Sequence, residues 1–170
     1  MDESLQPEHY DQETVKLMAK HIQKKSKDTQ SQLKYLRNAF AESCQNIDAF
    51  LEVDNALYAL VGYLTGNNTT LQLEAVWCLT NISANDNQHI ETFVKATSAY
   101  LITFLKSGSV ILQDQSAWAL GNMTADSHNI REILKAQGIV KPLSELVEVN
   151  FLILIFCLLS LYYLKLMIIQ

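Results

Sequence analysis

Glycine and proline are scarce in this 170-residue chain, five and two. That disfavours a turn-rich β architecture and favours helices. Cysteine is scarce too: Cys44, Cys78 and Cys157 are widely spaced, with no Cys-x-x-Cys pair and no Cys/His cluster. Cys78 therefore reads as a core thiol. The histidines His9, His21, His89 and His128 are scattered at positions expected to be exposed or capping. No P-loop, GxGxxG, HExxH or nucleophile elbow occurs. The sequence thus gives no basis for an enzyme, a metal site or a cofactor. Basic charge is short as well, with a formal net charge of −5. Nucleic-acid binders usually carry a basic stripe, so a nucleic-acid partner is not expected and a basic partner is compatible. The start, MDESLQPEHYDQE, is acidic and polar and lacks the basic-then-apolar run of a signal peptide. The sequons at Asn67, Asn68, Asn81 and Asn122 then carry little glycosylation meaning.

What is present is apolar surface, 49% of residues, enough for a sizeable core in one domain. Residues 1–11, short and polar with Pro7, read as a disordered N-terminus. Residues 12–27 read as a helix placing Val15, Leu17, Met18 and Ile22 partly on one face and ending in Lys24, Lys25 and Lys27. Residues 12–43 form N-terminal helices and a degenerate repeat. From about residue 30 the chain repeats itself. LEAVWCLTNISAND (73–86) parallels DQSAWALGNMTADS (114–127), and 41 residues separate Trp77 from Trp118 and Asn81 from Asn122. NALYALVGYLTGNNTTLQ (55–72) parallels SAYLITFLKSGSVILQ (98–113). A third copy begins at HNIREILKAQGIVKPLSELVEV (128–149), broken at Gly138.

One such unit cannot bury its own apolar face, but a stack of them makes a continuous core. A repeat near 41 residues with three helices matches the armadillo/HEAT range, and the expected fold is all-α, a right-handed armadillo-type α-solenoid. It should hold about two full repeats in 44–149 plus partial repeats at each end. The predicted core of the first repeat is Leu60, Val61, Leu64, Leu71, Leu73, Val76, Leu79 and Ile82. In the second it is Leu101, Ile102, Leu105, Ile111, Leu112, Ala117, Leu120 and Met123.

EAVWCLTNIS and QSAWALGNMTAD resemble the third helices of importin-alpha armadillo repeats, which adapt nuclear cargo. NIREILKAQGIVKPL is similar to the first two helices of a following repeat, so the likeness covers roughly 45–149. The whole layout, with LQLEAVWCL, ATSAYLITFL and no basic arm, is similar to a divergent family, transmembrane and coiled-coil domain-containing protein six. The resemblance implies a nuclear import adaptor of cytoplasm and nucleus that binds basic nuclear localisation signal peptides. On it, Trp77, Asn81, Trp118 and Asn122 inherit the peptide-holding role. Asp126 inherits an acidic groove position, whose counterpart after Trp77 is Asn85 with Asp86 beside it.

The residue chemistry agrees. Trp and Asn four apart share one helix face. A carboxamide can both donate to and accept from a peptide backbone, and an indole face attracts a Lys or Arg head with about 0.5–2 kcal/mol. Glu74 and Gln115, each three before a Trp, line roughly the same face. The competing reading is a structural one, with the indoles in the core and the amides satisfied internally.

The resemblance has limits. Forty-one residues back from Trp77 and Asn81 stand Leu36 and Phe40, and 41 forward from Trp118 and Asn122 stand Leu159 and Tyr163. Only two rungs remain, which implies weak binding, since avidity needs linked contacts. The segment KKSK (24–27) is too short for the arm that joins importin-beta, so that partner stays open. Within 150–170, residues 151–169 are apolar apart from Ser160, the tyrosines and Lys165, long enough to span a bilayer. A tail anchor giving membrane association, a helix closing the solenoid and an alternative chain end all fit. Lys165 and the lack of flanking basic residues weigh against the anchor.

Overall fold

The computed structural model describes residues 9–85 and 90–149, with side chains up to residue 146 in the last helix. Expectations for residues 1–8, for Asp86 and His89, and for 150–170 lie outside the described residues. Asp11 caps the first helix by accepting from the Thr14 N–H at 2.8 Å. Helix α1 (Gln12–His21) passes into a 3-10 turn, Ile22–Lys24, and stops at Lys25, whose φ of 38° is left-handed. The single helix expected over 12–27 is therefore shorter. Its face also differs: Val15 and Ile22 are buried, but Leu17 is exposed. Tyr10, expected in a disordered segment, is buried against Tyr35, ring centroids 4.9 Å apart, and its carbonyl accepts from the Asn46 amide.

The chain continues through α2 (Thr29–Glu42), α3 (Cys44–Leu51), α4 (Ala56–Leu64) and α5 (Thr69–Ser83). After the undescribed 86–89 come α6 (Ile90–Phe104), α7 (Val110–Asp126), α8 (His128–Ala136) and α9 (Val140–Val149). Among the described residues there is no strand. Side-chain caps set the starts: Ser43 for α3, Asn68 for α5, Ser109 for α7 and Ser127 for α8 each accept from a first-turn N–H. Gln72 and Gln113, at equivalent places in the two repeats, each donate back to a loop carbonyl, Gly66 and Ser107, at 2.7 Å. The turn before α9 uses Gly138 at φ 82°, a conformation that disfavours other residues.

Helices α3, α4 and α5 form one three-helix unit. In the next, α6 alone stands where α3 and α4 would. The reason is local. Between α3 and α4 the chain reads EVDN and turns at Asn55, φ 61°. The aligned FVKA (93–96) has no turn former, so the helix runs through. Helix α5 packs against α2 on one side and α7 on the other, so the third helices form a continuous row. Phe40 and Phe50 meet edge to face at 5.1 Å beneath it.

The predicted core is largely in place: Leu60, Val61, Leu64, Val76, Leu79, Ile82, Leu101, Ile102, Leu105, Leu112, Ala117, Leu120 and Met123 are buried. Leu71 and Leu73 are half-buried against it. Ile111 is the exception. It lies in the first turn of α7 beside exposed Val110, and is 57% exposed because no described helix covers that turn.

Candidate peptide-binding groove

Trp77, Thr80 and Asn81 on α5 face Gln115 and Trp118 on α7 and Arg37, Asn38 and Ala41 on α2 across an open concavity of about 250 Å³. Four of the predicted site residues, Trp77, Asn81, Gln115 and Trp118, thus border one groove. The reason is the repeat. A 41-residue step puts the same helix face at the same height on neighbouring third helices, and the buried faces beneath match (Ala75, Val76, Leu79, Ile82 against Ser116, Ala117, Leu120, Met123). Trp118 is 41% exposed, and Trp77 is half-buried.

The asparagines are held on one side. Asn81 Nδ2 donates to the Arg37 carbonyl at 2.9 Å. Asn122 Nδ2 donates to the Thr80 carbonyl at 3.4 Å and to Ser83 Oγ at 3.3 Å. Facing a carbonyl, only the amino end of a carboxamide can donate, so these contacts fix both amides. Each Oδ1 has no hydrogen-bond partner among the described residues. One end of each amide thus ties helix to helix, and the other remains an acceptor.

The same contacts correct the repeat register. Thr80 stands to Asn122 as Arg37 stands to Asn81, so α2 and α5 are related by a step of 43 residues, from Asn38 to Asn81. Burial agrees: Leu33, Leu36, Ala39 and Phe40 repeat as Val76, Leu79, Ile82 and Ser83. Leu36 and Phe40, reached by stepping back 41, are core positions with no groove role. The equivalents of Trp77 and Asn81 are Lys34 and Asn38. The row of asparagines is thus one longer than expected, while its tryptophans still number two.

Arg37 went unrecognised in the sequence. Its guanidinium carbon lies 4.1 Å from the centroid of the Trp77 ring. Its Nη1 lies 2.9 Å from Glu74 Oε2, a charge contact without an aligned hydrogen bond. Arg37 and Glu74 side chains are 17% and 12% exposed. Burial raises the Glu74 carboxyl above its ordinary value, and Arg37 and Lys34 pull it back down. Glu74 therefore faces a cation of its own chain, not an open groove. Asn122 and Asp126 do not border the concavity. Asp126 is exposed at the end of α7, beyond Asn122. Asn85 donates to the Asn81 carbonyl at 2.8 Å and so lies along the same helix edge.

A larger depression of about 450 Å³ lies between α1 and the α3–α4 turn. It is lined by Lys16, Lys20 and Glu52, lacks an aromatic wall, and is crossed by a Lys16–Glu52 ion pair at 2.9 Å. Cys78 is fully buried, its Sγ 3.5 Å from the Leu33 carbonyl, and burial pushes its thiol far up. Among the described residues no group of His, Cys, Asp and Glu could hold a metal, and no helix is long and apolar enough to cross a membrane.

A family model described as Armadillo-like matches residues 10–149. Importin subunit alpha-9 of Arabidopsis thaliana is 31% identical over 75 residues, 44% of this chain and 14% of that protein. Importin subunit alpha-1b of Oryza sativa subsp. japonica is 35% identical over 74 residues, 43% and 14%. The matched region thus spans about a seventh of these relatives' length. Among solved structures, a designed armadillo repeat protein in complex with the peptide (KR)4 superposes with a TM-score of 0.82 at 20% identity, over 89% of this chain and 64% of that one. A computationally designed armadillo repeat protein for modular peptide recognition gives 0.80 at 20%, over 88% and 63%. The family pattern runs from Tyr10 to Val149, most of the chain, and the superposed fold agrees with it; the chain belongs to the armadillo-like family.

Proposed function

We propose that this chain is a peptide-binding scaffold that holds an extended Lys/Arg-bearing segment along α5 and α7, as an importin-alpha-like adaptor for nuclear localisation signals. The observation that carries the reading is the shared groove of Trp77, Asn81, Gln115 and Trp118. The free Oδ1 atoms of Asn81 and Asn122 would accept peptide N–H groups. The Trp118 face would take a Lys or Arg stem and head, and Asp126 would add charge at the far end. Importin-alpha relatives at 31% and 35% identity support this, as does the fold shared with a designed protein that carries (KR)4. Such an adaptor works in cytoplasm and nucleus. Within this reading, the layout of LQLEAVWCL and ATSAYLITFL is similar to that of transmembrane and coiled-coil domain-containing protein six, and the chain is proposed to be of that type. Importin-beta and a membrane contact through 151–169 are open partners of the same reading.

A second reading, a scaffold for some other extended protein segment, is favoured by one observation: Arg37 already covers Trp77 and pairs with Glu74. Titrating (KR)4 and a charge-reversed Asp/Glu peptide into the protein and its Trp77→Ala/Trp118→Ala variant separates the two. The adaptor reading expects (KR)4 alone to bind and the variant to lose it. Equal affinity of protein and variant for (KR)4 sinks the groove.

A further inference from the structure

We propose that Lys34 selects an acidic residue of the bound segment at the α2 end of the groove, so that the segment carries Asp or Glu there and Lys or Arg along α5 and α7. The inference rests on the groove reading above and adds the charge the ligand must bear at one end.

The 43-residue register sets Lys34 where α5 holds Trp77, as Asn38 stands for Asn81. One position of the row thus offers an ammonium where the next offers an indole. Lys34 is exposed, one turn before Asn38, which borders the concavity beside Arg37. Its charge acts on Glu74 of α5, which puts it on the groove side of α2.

The ammonium is left over once the local charges have paired. Glu74, three before Trp77, is taken by Arg37 at 2.9 Å. The same register puts Ser31 three before Lys34, and Ser31 Oγ donates to the Asp28 carbonyl at 2.7 Å. The neighbours of Lys34 three and four residues away on its helix are Gln30, Ser31, Arg37 and Asn38, with no carboxylate. Among the described residues Lys34 makes no ion pair. Lys34, Arg37 and Glu74 together therefore leave one positive charge at this end.

Asn38 is engaged by its own chain at both ends of its amide. Its Nδ2 donates to the Tyr10 hydroxyl at 3.2 Å, and its Oδ1 accepts from Arg37 Nε at 3.3 Å. What this rung presents to a ligand is therefore Lys34. A Lys or Arg of the segment is repelled there and a carboxylate is attracted, which adds little affinity but fixes the direction in which the segment lies. Packed helices stand about 8–10 Å apart and an extended chain advances about 3.3 Å per residue. The acidic residue should thus stand roughly three residues from the part of the segment held on α5.

The test titrates the full chain and its Lys34→Met and Lys34→Glu variants with (KR)4, Glu-Glu-(KR)3, (KR)3-Glu-Glu and the two peptides in which Gln replaces Glu. Salt is kept low, because an exposed pair is screened. Lys34 is exposed, so both variants should fold, and thermal unfolding checks them. The readout is the affinity for a Glu peptide relative to its Gln counterpart. For one peptide orientation only, that ratio should be roughly 2- to 5-fold higher in wild type than in Lys34→Met, the range of an exposed ion pair, and lowest in Lys34→Glu. Equal ratios in all three proteins overturn the inference, and so does an equal change in both orientations, which marks a general field. If (KR)4 still binds in those cases, the groove reading stands. No binding of any peptide by wild type ends both.

Discussion

Asn81 donates its carboxamide hydrogen to the carbonyl of Arg37, one third helix back, across 2.9 Å. Asn122 repeats the contact to Thr80. The ladder is therefore a helix-to-helix tie as well as the proposed binding surface, and the two jobs would use opposite ends of the same amide. That division yields the first prediction.

Asn81→Ala should cost stability as well as binding, because the Arg37 carbonyl loses a donor in a half-buried place; about 1–3 kcal/mol is expected. Asn81→Asp keeps an acceptor but cannot donate in its ionised form, so it should destabilise similarly. Urea unfolding of both variants reads this. Unchanged midpoints would show that the tie contributes nothing.

Phe50 meets Phe40 edge to face, ring centroids 5.1 Å apart, and is fully buried. Phe50→Ala should cost about 3–5 kcal/mol through lost transfer and an unfilled cavity. For a chain of this size that is a drop of roughly 6–20 °C in Tm. Phe50→Leu should cost far less. A scanning calorimetry trace in which the two variants melt together contradicts this packing.

Burial raises the Glu74 carboxyl, and Arg37 and Lys34 partly offset it. A carboxyl raised in the folded state binds more protons than the unfolded chain between its ordinary value of 4.5 and its folded value. Its contribution is thus fully present below 4.5 and is lost as pH rises through the folded value. Glu74→Gln removes that titration. Wild type should therefore gain stability relative to Glu74→Gln as pH falls from 7 to 4. A difference that stays level or moves the other way counts against the buried position of Glu74.

Cys78 is fully buried with its thiol pushed far up, whereas Cys44 is exposed. Iodoacetamide at neutral pH should label Cys44 in the folded protein and reach Cys78 only in denaturant. Peptide mapping by mass spectrometry assigns the sites. Prompt labelling of Cys78 under native conditions would mean that the α2–α5 contact is open.

The 41-residue recurrence made the α5–α7 half of the site legible, because both helices keep Trp, Asn and the buried face beneath in step. The α2 side was not legible. The α3–α4 turn at Asn55 lengthens that repeat by two residues, so stepping back by 41 lands on Leu36 and Phe40, when the register runs through Lys34 and Asn38. The spacing of apolar residues could have revealed it, since Leu33, Leu36, Ala39 and Phe40 echo Val76, Leu79, Ile82 and Ser83 at a constant 43. Arg37 had no such signal. Its contact with Trp77 arises only once two helices pack, and sequence periodicity describes one helix at a time. Ile111 failed for the opposite reason: its helical phase is apolar, but its turn of α7 extends past its described neighbours.

Two tryptophans in the chain mean two indole N–H signals in a 15N-correlated spectrum, assignable by Trp77→Phe and Trp118→Phe. Following both while (KR)4 is added tests the central claim most directly. The account predicts that the Trp118 signal moves and saturates while the Trp77 signal, covered by Arg37, moves little until Arg37 is removed. A Trp118 signal that stays fixed at saturating peptide contradicts the groove, whatever else the peptide touches.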